Sequence, residues 1–224
     1  MNKELFFKIC DEELTKRIKE LPVLDNLSTL YSKQSFILMI YACFEGFINT
    51  VTLNFFELLK NERNKGKILN AHYDFCVDLY CKKNEIDTKS FKTLWKNFKP
   101  FKGKMFHEIN NKLVDTNDNL GYDVFKYILF IINISEYNVI DSKFYSKSLQ
   151  ELKSKKERNY LYYKDTINTL LTKRNDIAHG NSRVFDKDFL TQESIENFSN
   201  GIITLLKQFK NDIEEIIENN AYTL

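Results

Sequence analysis

The chain has 224 residues, 43% of them hydrophobic and 29% charged, and is therefore able to bury a sizeable core. Six glycines and two prolines are too few for an all-β sandwich or barrel, and no GxGxxG or GxxxxGKS/T phosphate-binding loop is present. Lysine and arginine total 33 against 31 acidic residues, which excludes a uniformly basic nucleic-acid binder but allows a segregated basic face.

Two helices are the first predicted elements. Apolar residues recur at helical spacing over residues 4–21, and Pro22 ends that pattern. A longer helix is predicted over residues 29–60, and its centre at 36–56 carries one charge, Glu45. This composition leaves a membrane span or a buried core helix as interpretations. The cost of a carboxylate in the middle of a bilayer favours the core helix.

The middle of the chain, about residues 61–145, is the least regular part. It is predicted to form short helices joined by polar loops, at 68–81, 89–98, 104–113 and 122–134. Two further long helices are predicted at about 145–179 and 188–220. The predicted fold class is therefore all-α, a single domain over residues 1–224 with a small helical insert in its middle.

Cysteines, histidines and the N-terminal residues give no sign of a metal site or a secretory signal. None of the four cysteines forms a CxxC pair, and Cys76 and Cys81 are interpreted as reduced core thiols. His72 and His107 lack a partner at metal-ligand spacing and are interpreted as surface or core histidines. The cysteine and histidine spacing therefore predicts no metal, and no cofactor is predicted. Residues 1–7 carry Lys3 and Glu4 and precede no long apolar run, so no secretory signal and a cytoplasmic location are predicted.

Basic residues are concentrated in residues 82–104, which contain eight lysines and only two acidic residues, with aromatic residues between the lysines. Lysines interleaved with aromatic residues can follow a phosphate backbone and stack bases. The predicted RNA-binding residues are Lys92, Trp95, Lys96 and Lys99. The alternative is that the aromatic residues face the core and the lysines form a solvated face.

The stretch RNDIAHG, residues 174–180, carries the most informative chemistry. The helix before it has a core-facing seam with a spacing of three and four residues, formed by Tyr160, Tyr163, Ile167, Leu170, Arg174 and Ile177. A guanidinium in such a seam needs an acidic partner, an anion or an open groove. Gly180 predicts that the helix ends near His179. Although ideal helical geometry separates these side chains by about 140°, that end allows the imidazole to swing back toward Arg174.

A permanent cation beside a titratable base can perform chemistry on a phosphate. Arg174 would stabilise the phosphate charge, His179 would move protons near neutral pH, and Asn175 adds a neutral donor and acceptor. The alternative is an arginine satisfied by its neighbours and a histidine that complements the dipole at the helix C-terminus. These residues alone leave both interpretations open.

The string RNDIAHG, near the end of a helical chain and followed by one more amphipathic helix, resembles the RxxxxH signature of the HEPN superfamily. YACFEGFI at residues 41–48 is similar to the Y-A-x-W-E-G-F segment of a bacterial stand-alone, MAE-like HEPN subgroup. The resemblance implies a HEPN-type helical bundle that dimerises. It also implies catalytic positions at Arg174, Asn175, His179 and Glu45. Glu45 would orient or neutralise Arg174, or is instead a solvated or capped carboxylate.

Many HEPN proteins are metal-independent endoribonucleases in which two RxxxxH motifs meet at the dimer cleft. The resemblance therefore predicts RNA cleavage by 2′-hydroxyl attack in a prokaryotic toxin–antitoxin or phage-defence system. The expected partners are RNA, a second copy and an antitoxin or other defence-system protein, without a membrane. The alternative is a non-catalytic HEPN module that binds RNA, a nucleotide or a partner protein. Some toxin HEPN proteins carry a modifiable tyrosine two residues after the histidine, whereas this chain has Asn181.

Overall fold

A computed structural model describes residues 1–21, 29–81, 120–134, 163–180 and 191–223. These residues form six α-helices and contain no strand, so the predicted all-α fold class is confirmed. In chain order the helices are α1 (Lys3–Glu20), α2 (Leu30–Asn64), α3 (Ala71–Cys81), α4 (Tyr122–Ile131), α5 (Lys164–Ala178) and α6 (Gln192–Glu218). The predicted helices at 89–98 and 104–113, and the first part of the one at 145–179, lie outside the described residues.

Helix α2 is the central element of the bundle and packs against α1, α3, α5 and α6. It begins with a capping box, in which the Ser32 N–H donates to Thr29 Oγ1 at 3.1 Å and the Thr29 N–H donates to Ser32 Oγ at 3.1 Å. Its most apolar window has a mean hydropathy of 1.7, enough by length and composition to cross a membrane, but 56% of that window is buried within the fold. The burial supports the core-helix interpretation.

The core is one hydrophobic cluster with members from all six helices. Edge-on and tilted ring contacts join distant parts of the sequence, with centroid distances of 5.8 Å for Phe44–Phe125, Phe125–Phe209 and Phe55–Tyr73. Such pairs contribute about 0.5–1.5 kcal/mol each beyond their burial. Because α3 and α4 supply Tyr73 and Phe125, the less regular middle of the chain takes part in the same core as the long helices.

Helix α1 crosses α2 at a glycine. The guanidinium of Arg17 lies against Gly46, where a Cβ atom would come within 2.6 Å of the Arg17 Nη2 atom. Arg17 is held there by Glu13 Oε1 at 2.6 Å and Glu20 Oε2 at 3.4 Å. The Cys43 thiol donates to the Arg17 carbonyl at 3.4 Å. The glycine of the E-G-F segment therefore has a packing role, since it admits an arginine to the helix surface.

The two ends of the described chain lie together. The Lys3 Nζ atom donates to the Ile217 carbonyl at 2.6 Å, where α6 ends, and to Asn220 Oδ1 at 2.8 Å. The Asn70 N–H donates to the Tyr222 carbonyl at 3.0 Å, beside an isolated bridge between Leu69 and Thr223. These bonds fasten the residues after α6 to α1 and to the connection between α2 and α3.

Candidate functional site

Helix α5 carries the RNDIAHG motif at its C-terminal end. Tyr163, Ile167 and Leu170 are buried, as the seam predicts, and Ile177 packs partly against the core. Arg174 is half-buried at the seam position of the next turn. The spacing therefore identified the face of α5 that packs on the core and placed the cation on it.

Two contacts orient the guanidinium of Arg174. Its Cζ atom lies 5.2 Å from the centroid of the Tyr41 ring on α2, which is the distance of a cation–π contact. Its Nη1 atom donates to Asn175 Oδ1 at 2.9 Å. Asn175, predicted as a neighbouring donor and acceptor, therefore acts on Arg174 as an acceptor. A face of the cation rests on an aromatic ring, and an edge is held by an amide.

Tyr41 is a site residue that the sequence interpretation missed. Only 3% of it is exposed, and the Leu120 N–H donates to its Oη atom at 2.7 Å. Glu45 lies four residues further along the same face of α2, and its charge acts on the phenol. The available signal was its position in the YACFEGFI segment, one turn before the single charge of the apolar stretch.

Burial and charge set the protonation of Tyr41. Burial raises its pKa above the ordinary value, the Leu120 amide and the Arg174 guanidinium lower it, and the Glu45 carboxylate raises it. The net shift is upward, so the tyrosine is neutral near pH 7. The structure thus places Arg174 against a buried phenol, with Asn175 holding the cation and the charge of Glu45 acting on the ring.

His179 lies at the end of α5 and is exposed. Gly180 has a φ of +69°, the left-handed conformation predicted for the residue after the cap. The His179 N–H donates to the Asn175 carbonyl at 2.9 Å, so the backbone is still helical there and the two motif side chains leave it about 140° apart. Among the described residues, no hydrogen bond joins the imidazole to Arg174.

The start of α4 docks beside the site. The Tyr122 N–H donates to Asn168 Oδ1 on α5 at 3.1 Å. A Cβ atom on Gly121 would come within 2.9 Å of the Leu171 Cδ2 atom, so the backbone approaches α5 closely at this residue. Together with the Leu120–Tyr41 bond, these contacts fix the residues before α4 to both helices that carry the site.

The other predicted positions separate into two groups. His72 is a packing residue, as predicted, with Nε2 3.1 Å from the Ile131 carbonyl and its ring edge-on to Phe130. Cys81 is exposed, so its interpretation as a core thiol was wrong, because α3 ends there. Within the described ranges no group of three potential ligands could hold a metal ion. The remaining predicted positions lie outside the described residues: Lys92, Trp95, Lys96, Lys99, His107 and the seam residue Tyr160.

An all-α bundle with an RxxxxH motif at a helix end is the arrangement of a HEPN domain. The family model described as RiboL-PSP-HEPN matches residues 12–215, nearly the whole chain. The chain therefore belongs to the RiboL-PSP-HEPN family, and the predicted HEPN superfamily membership is confirmed. Comparison with curated proteins and with solved structures found no match. A HEPN domain indicates a nuclease or RNA-related role in general.

Proposed function

We propose that the protein is a metal-independent endoribonuclease whose site contains Arg174, Asn175, His179 and Glu45. The observation that carries this proposal is the half-buried Arg174, whose guanidinium is oriented by the Tyr41 ring at 5.2 Å and by Asn175 at 2.9 Å. A cation with a fixed orientation costs little reorganisation when charge develops beside it, which is the basis of electrostatic catalysis. An exposed imidazole at the end of the same helix supplies the second group.

The proposed reaction is a transesterification at phosphorus. The 2′-oxygen of the RNA attacks the adjacent phosphate, and the bond from phosphorus to the 5′-oxygen breaks. The 2′-hydroxyl loses its proton to a base and the leaving 5′-oxygen gains one from an acid, and His179 serves one of these steps. Arg174 stabilises the negative charge of the phosphorane. The products are a 2′,3′-cyclic phosphate and a 5′-hydroxyl, and no water or metal is consumed.

Dimer formation is part of the proposal. Arg174 and His179 leave α5 in directions about 140° apart, so a second copy is a natural source of the complementary group for each motif. The first half of α2 exposes the large apolar side chains of Tyr31, Leu38 and Met39, with 79%, 37% and 36% of their surface accessible. Positions 31 and 38 are two helical turns apart on one face, and this surface supports an interface through α2.

The dimer is tested by light scattering at micromolar concentrations. We expect twice the mass of the chain for the parent protein, and loss of dimer and activity together for a Leu38→Glu variant. The matched control is Leu5→Glu on α1, where a leucine with 48% exposure changes to the same charge. A parent protein that stays a strict monomer while cleaving RNA contradicts the proposed cleft.

Lys92, Lys96 and Lys99 are proposed to bind RNA phosphates, with Trp95 stacking on a base. Phosphate contacts strengthen binding without selecting sequence, and each neutralised phosphate steepens the salt dependence of the association constant. A variant with all three lysines changed to glutamine is expected to bind RNA more weakly and with a flatter salt dependence. An unchanged salt slope shows instead that these lysines form only a solvated face.

We place the protein in a prokaryotic toxin–antitoxin or phage-defence system, in the cytoplasm, as a single domain with a helical insert at 61–145. An antitoxin or another defence-system protein is the expected protein partner. The support is the similarity of YACFEGFI to stand-alone bacterial HEPN proteins and the participation of α3 and α4 in one core. Growth arrest on expression, relieved by the product of a neighbouring gene, is the observation that tests this placement.

The proposed activity is tested with purified His179→Ala and Arg174→Ala variants and structured RNA in EDTA. Loss of a proton-transfer group is expected to reduce the rate by about 10²–10⁴-fold, and loss of a charge stabiliser by about 10²–10³-fold. Arg63→Ala is the matched control, because Arg63 is held by Asp74 and Asp78 at the contact of α2 with α3. A folded His179→Ala variant that cleaves as fast as the parent rejects this site and favours the binding module.

A further inference from the structure

We propose that Tyr41 is the positioning residue for Arg174. The inference rests on the proposed function, because the orientation of Arg174 matters to a reaction only if Arg174 serves one. The contact itself does not depend on any reaction. The buried ring of Tyr41, fixed at its hydroxyl, determines where the face of the Arg174 guanidinium lies.

The ring of Tyr41 supplies the surface on which the guanidinium rests. Arg174 has a long flexible side chain, and its hydrogen bond to Asn175 holds one edge without defining the plane of the group. The aromatic face 5.2 Å from its Cζ atom adds that constraint. Because only 3% of Tyr41 is exposed, the ring lies behind the arginine and does not reach the substrate.

The hydroxyl of Tyr41 is fixed from the residues before α4. The Leu120 N–H donates to its Oη atom at 2.7 Å. A phenol oxygen has lone pairs with which to accept such a bond. Leu120 therefore sets the position of the ring, and the ring sets the position of Arg174.

Glu45 lies one helical turn after Tyr41 on the same face of α2. Burial raises the pKa of the Tyr41 phenol and the charge of Glu45 raises it further, whereas the charge of Arg174 lowers it. The ring therefore stays neutral between the two charges while the guanidinium rests on it.

The kinetic test compares Tyr41→Leu with Tyr41→Phe. The leucine variant removes the ring, so we expect kcat for RNA cleavage to fall at least tenfold with KM changed less than twofold. The phenylalanine variant keeps the ring and is expected to retain at least a third of the parent kcat. Tyr80→Leu is the matched control, because Tyr80 is a partly buried tyrosine stacked on Phe56 in the contact of α3 with α2. A folded Tyr41→Leu variant with the parent's kcat overturns the inference.

A second measurement reads the contact without any reaction. In protein labelled with ¹⁵N-arginine, the side-chain N–H protons of Arg174 lie over a ring face and should resonate upfield of the other arginines, with Arg174→Lys giving the assignment. The shift should persist in Tyr41→Phe and disappear in Tyr41→Leu. If the leucine variant does not fold, the parent and phenylalanine spectra decide the question.

The two readouts separate the two proposals. Cleavage of RNA by the parent without the upfield shift of Arg174 rejects the positioning role and leaves the ribonuclease intact. The shift in a parent protein that cleaves no RNA rejects the ribonuclease while the contact stands. Both signals together, with the kcat loss confined to Tyr41→Leu, are the result expected here.

Discussion

Two helical glycines offer a matched test of how the α1–α2 crossing is built. In an exposed helix interior, replacing glycine by alanine stabilises a protein by about 0.8–1 kcal/mol, because alanine loses less backbone freedom on folding. Gly201 on α6 has room for the new methyl group, whose nearest neighbour would be the Thr166 Cγ2 atom at 4.0 Å. We therefore expect Gly201→Ala to raise the free energy of unfolding by about 0.8–1 kcal/mol.

Gly46→Ala should raise the free energy of unfolding much less than Gly201→Ala does. Its Cβ atom would come within 2.6 Å of the Arg17 Nη2 atom and 2.7 Å of the Arg17 Cζ atom, so the guanidinium must leave the α2 surface. Arg17 then weakens its ion pairs with Glu13 and Glu20, each contributing about 0.3–0.5 kcal/mol. The net gain in the free energy of unfolding is expected to lie between about zero and 0.4 kcal/mol.

Removing Arg17 should restore the full gain. In an Arg17→Ala background, Gly46→Ala is expected to stabilise by about 0.8–1 kcal/mol, as Gly201→Ala does, which gives a coupling energy of at least about 0.4 kcal/mol. Urea denaturation followed by circular dichroism at 222 nm measures all four proteins and the Gly201→Ala control. Equal stabilisation by Gly46→Ala with and without Arg17 refutes the idea that this glycine exists to admit the arginine.

Three further outcomes follow from buried groups. Tyr73→Phe should lower the free energy of unfolding by about 1–2 kcal/mol, because the Tyr73 hydroxyl donates to the Ile132 carbonyl at 3.0 Å. Tyr80→Phe, which removes a 3.3 Å bond to Glu57, should lower it little. Thermal melts of the two variants measure the difference. Ellman's reagent should label Cys81 in the native protein and leave the other three thiols unlabelled, because those three are buried. Burial raises the pKa of Cys10 to about 12 and that of Cys43 to about 11, and it also raises the pKa of Cys76. A second thiol that reacts quickly contradicts this expectation. Burial raises the pKa of Glu62, but the larger combined effect of Lys67 and Lys65 holds the pKa below the ordinary value of 4.5. The ionised Glu62 therefore stabilises the fold fully above pH 4.5, and this contribution is lost as the pH falls through the lowered pKa. Glu62→Gln should flatten the acid limb of the stability curve, and an unchanged limb argues against the pair.

The fold was largely predictable from periodicity. Apolar spacing gave both ends of α1 within one residue, and it placed the long helix α2, whose capping box begins at Thr29. The C-terminal helix, predicted over about 188–220, is described over Gln192–Glu218, and residues 188–190 lie outside the described residues. Which helices meet could not be read from spacing, since ring contacts such as Phe44–Phe125 join residues far apart in sequence.

The candidate site was predictable in its residues and less so in its contacts. The seam and Gly180 correctly indicated a core-facing arginine and a helix end at His179. The support of Arg174 by Tyr41 was not foreseen, because a tyrosine in an apolar helix is indistinguishable by composition from any other core residue. The Leu120 N–H that fixes Tyr41 is a backbone group, and a backbone donor leaves no trace in the side-chain pattern.

The chemical identity of the RNA ends tests the central claim most directly. Purified parent protein is incubated with a defined RNA in EDTA, and the products are analysed by mass spectrometry beside the same RNA with a 2′-deoxy nucleotide at the cleaved position. The proposed reaction predicts 2′,3′-cyclic phosphate and 5′-hydroxyl ends, no cleavage at the deoxy position, and cleavage about 10²–10⁴-fold slower by folded His179→Ala protein. Products with 3′-hydroxyl and 5′-phosphate ends, or cleavage at the deoxy position, would contradict the role assigned to Arg174 and His179.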